Sequence, residues 1–188
     1  MNQGKLIVIV APSGAGKSTL IKKLKVDFPQ LEESVSCTTR KMREGEINGV
    51  SYHFITREDF DKKVAANDFL EWAHVHGNCY GTSKQFVSER LNLGAKILFD
   101  LDVQGADAMK KHFGDLAKVI FIAPPSIEEL EKRLRNRGTD SDEVIRLRVE
   151  NARKELLRKN DYDHWVLNDD LERAHQELKT IFGSILSA

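Results

Sequence analysis

Four near-continuous apolar runs divide the chain: Leu6–Val10, Lys96–Leu101, Val119–Ala123 and His164–Leu167. A strand covered on one face alternates apolar and polar residues. These runs do not alternate, so they predict strands of a parallel sheet buried on both faces. Between and after them, apolar positions recur at helical spacing over Thr19–Lys25, Gln104–Phe113, Ile127–Arg135, Glu143–Lys159 and Leu171–Leu186. Alternation of strand and helix predicts an α/β chain, a three-layer α/β/α sandwich with right-handed crossovers. Residues from about 36 to 86 break this rhythm. They are rich in Thr, Gly, His and aromatic residues, and only Val50–Ile55 and Leu70–His76 read as strands. This stretch is expected to be a lobe inserted into a core made of 1–35 and 87–188. A second break, Asn136-Arg137-Gly138-Thr139-Asp140-Ser141-Asp142, separates two helical patterns. Gly138 can end the first helix, and Thr139 or Ser141 can start the second. Residues 136–148 are therefore expected to form a short hinged lid.

Composition narrows the classes. The 188 residues suit one compact domain, 1–188, long enough for a real core. The 29 basic and 29 acidic side chains cancel, whereas a protein that coats nucleic acid should be basic. Cys37 and Cys79 lie far apart, with no Cys-x-x-Cys or His cluster at zinc spacing. A domain of this size needs no disulfide, so a cytoplasmic location is expected. Leu6–Val10 is too short for a signal segment, and no apolar run approaches a membrane span.

The chemistry starts at Ala11-Pro12-Ser13-Gly14-Ala15-Gly16-Lys17-Ser18, between the first strand and the first helix. In that context the pattern predicts a phosphate cradle. Small residues let backbone N–H groups wrap an anion, and the helix N-terminus adds partial positive charge. Lys17 can reach terminal phosphates and the Ser18 hydroxyl can hold Mg²⁺. Further on, Ser36-Cys37-Thr38-Thr39-Arg40-Lys41-Met42-Arg43 brings two arginines three apart, with Tyr52 following. Arginine forks match phosphate oxygens and a phenol adds a donor, so a second phosphate is expected there. Leu98-Phe99-Asp100-Leu101-Asp102 ends a strand in acidic residues, where open α/β sheets bind ligands.

Taken together, the blocks Ala11–Ser18, Ser36–Tyr52, Glu71–Thr82, Asp100–Gly105 and Arg133–Arg148, with Asn168-Asp169-Asp170 after them, resemble the guanylate kinase family from Leu6 to about Phe182. The resemblance implies a P-loop NTPase fold with a GMP-binding lobe and a lid. It implies transfer of the γ-phosphoryl group of ATP to GMP, with Mg²⁺, and dGMP as a further acceptor. Residues 11–19, including Thr19, would cradle ATP, with Asn168 near its adenine. Arg40, Arg43, Tyr52 and Tyr80 would grip the GMP phosphate. Ser36, Glu71, Thr82 and Asp102 would read guanine, whose N–H donors suit a carboxylate acceptor. Lys17, Arg133, Arg137 and Arg148 would serve the transferring phosphates, and Ser18 and Asp100 the metal.

Other readings stand beside these. A P-loop kinase with another phosphorylated acceptor is the runner-up, and Glu71 with Ser36 argues for guanine. Guanylate-kinase-like modules also occur as non-catalytic phosphopeptide binders with degraded phosphate loops, whereas Gly16-Lys17-Ser18 is intact here. Glu71 and Asp102 as a glycosidase-style acid/base pair fit poorly beside a phosphate loop. Phe69 and Trp72 are expected in the core, with Trp72 behind Glu71. Glu46 and Asn48 are expected to shape a turn. His53, His74 and His76 lack a ligand set for a metal.

Overall fold

The computed structural model describes residues 4–75, 77–136, 138 and 140–187. Its elements begin with β1 (Lys5–Val10), α1 (Lys17–Asp27), β2 (Leu31–Glu33), β3 (Cys37–Thr38), β4 (His53–Phe54) and α2 (Arg57–Ala65). Next come β5 (Phe69–Val75), β6 (Asn78–Ser83), α3 (Lys84–Asn92), β7 (Lys96–Leu101) and α4 (Val103–Phe113). The chain ends with β8 (Ala117–Ala123), α5 (Ile127–Asn136), α6 (Asp142–Leu156), β9 (His164–Leu167) and α7 (Leu171–Ser187). Among the described residues, no helix is long and apolar enough to cross a membrane.

The main sheet has the order β2-β7-β1-β8-β9, and every pairing in it is parallel. Successive side chains of a strand point to opposite faces, and both faces here are covered. Ile7 and Ile9 meet Leu20 and Leu24 of α1 and Leu178 and Phe182 of α7. Leu6, Val8 and Val10 meet Val87 of α3 and Ala106 and Met109 of α4. That two-sided burial is why the runs are near-continuously apolar rather than alternating. The expected α/β/α layering is present.

A second sheet, β4-β3-β6-β5, is mostly antiparallel. With α2 it encloses a small cluster of Cys37, Phe60, Phe69 and Cys79, both thiols being free. Three local expectations change here. Val50–Ser51 is turn, not strand: Gly49 takes φ 79°, and Asn48 Oδ1 accepts from Phe54 N at 2.9 Å. Phe69 is core, but Trp72 is 47% exposed. With Glu71 facing inward, the strand's alternation turns Trp72 outward, its edge on the ring of His74. The helix expected over Glu143–Lys159 ends at Leu156, where Arg158 turns back to Asp107 and lies over the Tyr162 ring. Between α5 and α6, the Ser141 hydroxyl caps α6 by accepting from Val144 N. Thr139 and His76 lie outside the described residues.

Candidate active site

β1 ends at Val10 in the middle of the main sheet, so the loop after it opens at the carboxyl edge between β7 and β8. The loop folds tightly. Ala15 N donates to Pro12 O at 3.0 Å, and Gly14 and Gly16 take φ of 95° and 94°. A side chain at Gly16 would meet strain and collide with the Asn168 amide Nδ2. That amide is at work: Asn168 Nδ2 donates to Ala15 O at 2.6 Å, and the Asn168 carbonyl accepts from Arg133 at 3.2 Å. Asn168 thus braces the loop from β9, a contact that spacing along the chain did not suggest.

Lys17 opens α1. Its Nζ donates to Leu101 O at 2.7 Å and lies 2.5 Å from Asp100 Oδ1, so β7 holds the loop lysine at its carboxyl end. Arg148 reaches from α6 to Ser13 Oγ at 3.2 Å and pairs with Asp140 at 3.3 Å. Arg133 also pairs with Glu129 on its own helix. Arg137 lies outside the described residues.

Two cavities flank the loop, with about 1370 Å³ and about 660 Å³ of empty space including that open to solvent. The larger joins Ala11–Gly14 and Gly16–Thr19 to Ser36, Arg43, Tyr52, Glu71, Tyr80, Asp100, Asp102 and Arg148. The other is bounded by Gly14, Gly16, Thr19, Arg133 and Asn168, with Asp169 and Leu171. Arg40 and Thr82 line neither, but both hold residues that do. The Thr82 hydroxyl donates to Glu71 Oε1 at 2.5 Å and stands 3.4 Å from Ser36 Oγ. Arg40 pairs with Glu46 at 2.6 Å and lies over the rings of Tyr52 and Phe54. Glu46 also accepts from Arg43 N at 2.7 Å, so it ties both arginines of the block together, beyond the turn role expected of it.

The electrostatics follow from burial. Desolvation pushes the Glu71 carboxyl up to about 7, with Asp102 adding to the rise and Thr82 opposing it. Desolvation pushes the Tyr52 phenol up to about 12, so it keeps a proton to donate. Glu46 holds the Arg40 guanidinium charged, and Arg40 holds Glu46 below the usual carboxylate range. Asp102 caps α4 by accepting from Gly105 N at 2.9 Å, which fixes its carboxylate at the cavity edge. Asn151 and Glu155 also line the larger cavity. Sequence reading passed over them, although they follow Arg148 by three and seven residues on a helix.

A sequence model of the guanylate kinase family matches residues 3–185. The chain belongs to the guanylate kinase family. Relatives named guanylate kinase include one from Chromobacterium violaceum, 51% identical over 183 residues, covering 96% of this chain and 87% of that one. Another, from Prochlorococcus marinus, is 47% identical and covers 97% of this chain and 99% of that one. Among solved structures, a guanylate kinase from Anaplasma phagocytophilum matches with a TM-score of 0.77 at 29% identity, over 98% of this chain and 87% of that one. The fold is therefore that of the guanylate kinases, a P-loop NTPase-like sandwich around a parallel sheet.

Proposed function

We propose that this chain is an ATP:GMP phosphotransferase of the cytoplasm, converting GMP to GDP with release of ADP and taking dGMP as a second acceptor. The observation that carries the reading is one cavity that joins the phosphate loop to a buried carboxylate. Glu71, backed by Thr82, faces a space continuous with Lys17 and Ser18. Guanine offers N1–H and N2–H₂ to such a carboxylate. Adenine presents an acceptor at N1 and leaves the carboxylate unmet, which costs roughly 1–3 kcal/mol or more.

In this reading the GMP lobe spans about 36–86 and the lid about 136–148. Ser36, Glu71, Thr82 and Asp102 read the base. Arg40, Arg43, Tyr52 and Tyr80 hold its phosphate. The loop residues cradle the ATP phosphates on backbone N–H groups, while the cavity beside Arg133 and Asn168 takes the adenine side. Lys17 leaves the Leu101 carbonyl for the transferring phosphate, joined by Arg133 of α5, Arg148 of α6 and Arg137. Water is excluded as the lid shuts. The attacking GMP phosphate oxygen is already anionic, so no general base is needed. Mg²⁺ suits the donors present. Ser18 offers a hydroxyl and Asp100 a carboxylate in the same cavity, and a hard dication takes one or two such oxygens beside phosphates and water. When bound it would spread the charge on the transferring phosphates.

Lys17→Met tests the assignment. Turnover should fall by about 10³-fold or more, as for loss of a charge on the transferring group, while GMP binding by calorimetry persists. Equal loss of both would contradict it.

A further inference from the structure

One wall of the larger cavity carries two residues without a role so far, Asn151 and Glu155. The face of α6 turned to the cleft carries Arg148, Asn151 and Glu155, spaced by three and four residues and all lining the cavity. Arg148 is engaged with Ser13 and Asp140. Glu155 is not engaged in this way. It is partly buried, and among the described residues its carboxylate has no hydrogen bond or ion pair; its charged neighbours are Asp102, Lys17 and Arg158. Burial pushes this carboxyl up to about 7, Asp102 adding to the rise and Lys17 and Arg158 opposing it. A carboxylate withdrawn from water needs donors, and this one faces a ligand cavity.

The ligand's own chemistry narrows what those donors can be. This step rests on the GMP reading. A guanosine monophosphate offers N–H donors on its base and hydroxyls on its sugar, and its phosphate offers acceptors alone. Glu71 and Asp102 already face the base. Glu155 shares the cavity and the charge environment of both Asp102, which this reading assigns to the base, and Lys17, which it assigns to the phosphates, so the sugar that joins base and phosphate is the part of the acceptor left to it. The ribose of ATP goes with adenine to the other side of the loop. We propose that Glu155 is a specificity residue that accepts a hydrogen bond from a ribose hydroxyl of the acceptor nucleotide, with Asn151 beside it on the same wall.

The experiment is a substrate–enzyme cycle. Wild-type protein, Glu155→Ala and Glu155→Gln are assayed for kcat/KM with GMP, 2′-deoxy-GMP and 3′-deoxy-GMP. A hydrogen bond to a charged acceptor is worth roughly tenfold or more in kcat/KM, so removal of one hydroxyl should slow the wild type by about that factor. In Glu155→Ala the same removal should cost less than about threefold, with Glu155→Gln between the two because it keeps an acceptor of the same size. A hydroxyl factor that persists undiminished in both variants would overturn the inference. So would a wild type indifferent to both hydroxyls. A wild type that phosphorylates no guanine nucleotide would overturn the kinase reading itself, and this inference with it.

Discussion

Replacing Glu71 by glutamine should make the protein more stable and a poorer kinase at once. Glu71 is 7% exposed, and burial raises its carboxyl from 4.5 to about 7. The unfolded chain ionises this group near its ordinary value, while the folded chain keeps it protonated until about 7. The folded state therefore binds more protons across that window, and stability falls as pH rises through it. At about 1.4 kcal/mol per unit, charging the carboxylate in the folded chain costs about 3 kcal/mol above the window. Glu71→Gln removes that cost and still accepts from Thr82. For a chain of this size the Tm should rise by roughly 6–12 °C at about pH 8, and by little at about pH 5. The same change gives guanine one acceptor and one donor where it needs two acceptors, so kcat/KM for GMP should fall by about 10²-fold or more. Thermal melts at the two pH values and a coupled ADP assay read both effects. A Tm that is unchanged or lower at the alkaline pH, or a gain equal at both, would refute the burial argument. Undiminished turnover of GMP would refute the guanine-reading role.

Two further substitutions probe other parts of the structure. Asn168→Ala strands the Ala15 carbonyl and loosens the phosphate loop; KM for ATP should rise by about tenfold with KM for GMP unchanged in steady-state kinetics, because the brace is a loop contact on the donor side. Asp27 on α1 is held below the usual carboxylate range by a hydrogen bond from Lys179 on α7 and by His175, against a desolvation that raises it. Its stabilising effect is present above the ordinary carboxylate value and is lost as pH falls through its lowered one, so Asp27→Asn should lower the Tm at neutral pH and make no difference in strong acid.

The legible parts of the fold were those with a strong period. The runs at Leu6, Lys96, Val119 and His164 are near-continuously apolar because helices cover both faces of their sheet, and a run of that kind has few other readings. The phosphate loop was legible because Gly14 and Gly16 must take positive φ and Lys17-Ser18 must open a helix. The region 36–86 was harder. Its strands β3 and β4 are two residues long and paired through long-range contacts, which no local pattern reports. Strand β6 reads Asn78-Cys79-Tyr80-Gly81-Thr82-Ser83, where Asn78, Gly81 and Ser83 interrupt the strand-forming residues and pairing with β5 and β3 holds the segment extended. Helix α2 carried a signal that went unused: Thr56 precedes Asp59 by three, and the Thr56 side chain caps the helix by accepting from Asp59 N. Trp72 misled because an aromatic beside a buried Glu71 invites a core reading, whereas strand alternation forbids both from facing inward. Glu155 and the Asn168 brace depend on helices and strands meeting across the cleft, and that juxtaposition exists only once the chain is folded.

In the proposed function one cavity reads guanine and delivers a phosphoryl group to its phosphate. The most direct measurement is release of ADP from ATP and Mg²⁺ with GMP, AMP, CMP and UMP offered in parallel. Turnover with GMP alone is the result predicted. Equal turnover with AMP, or none with any nucleotide from a folded protein that binds GMP, would contradict it.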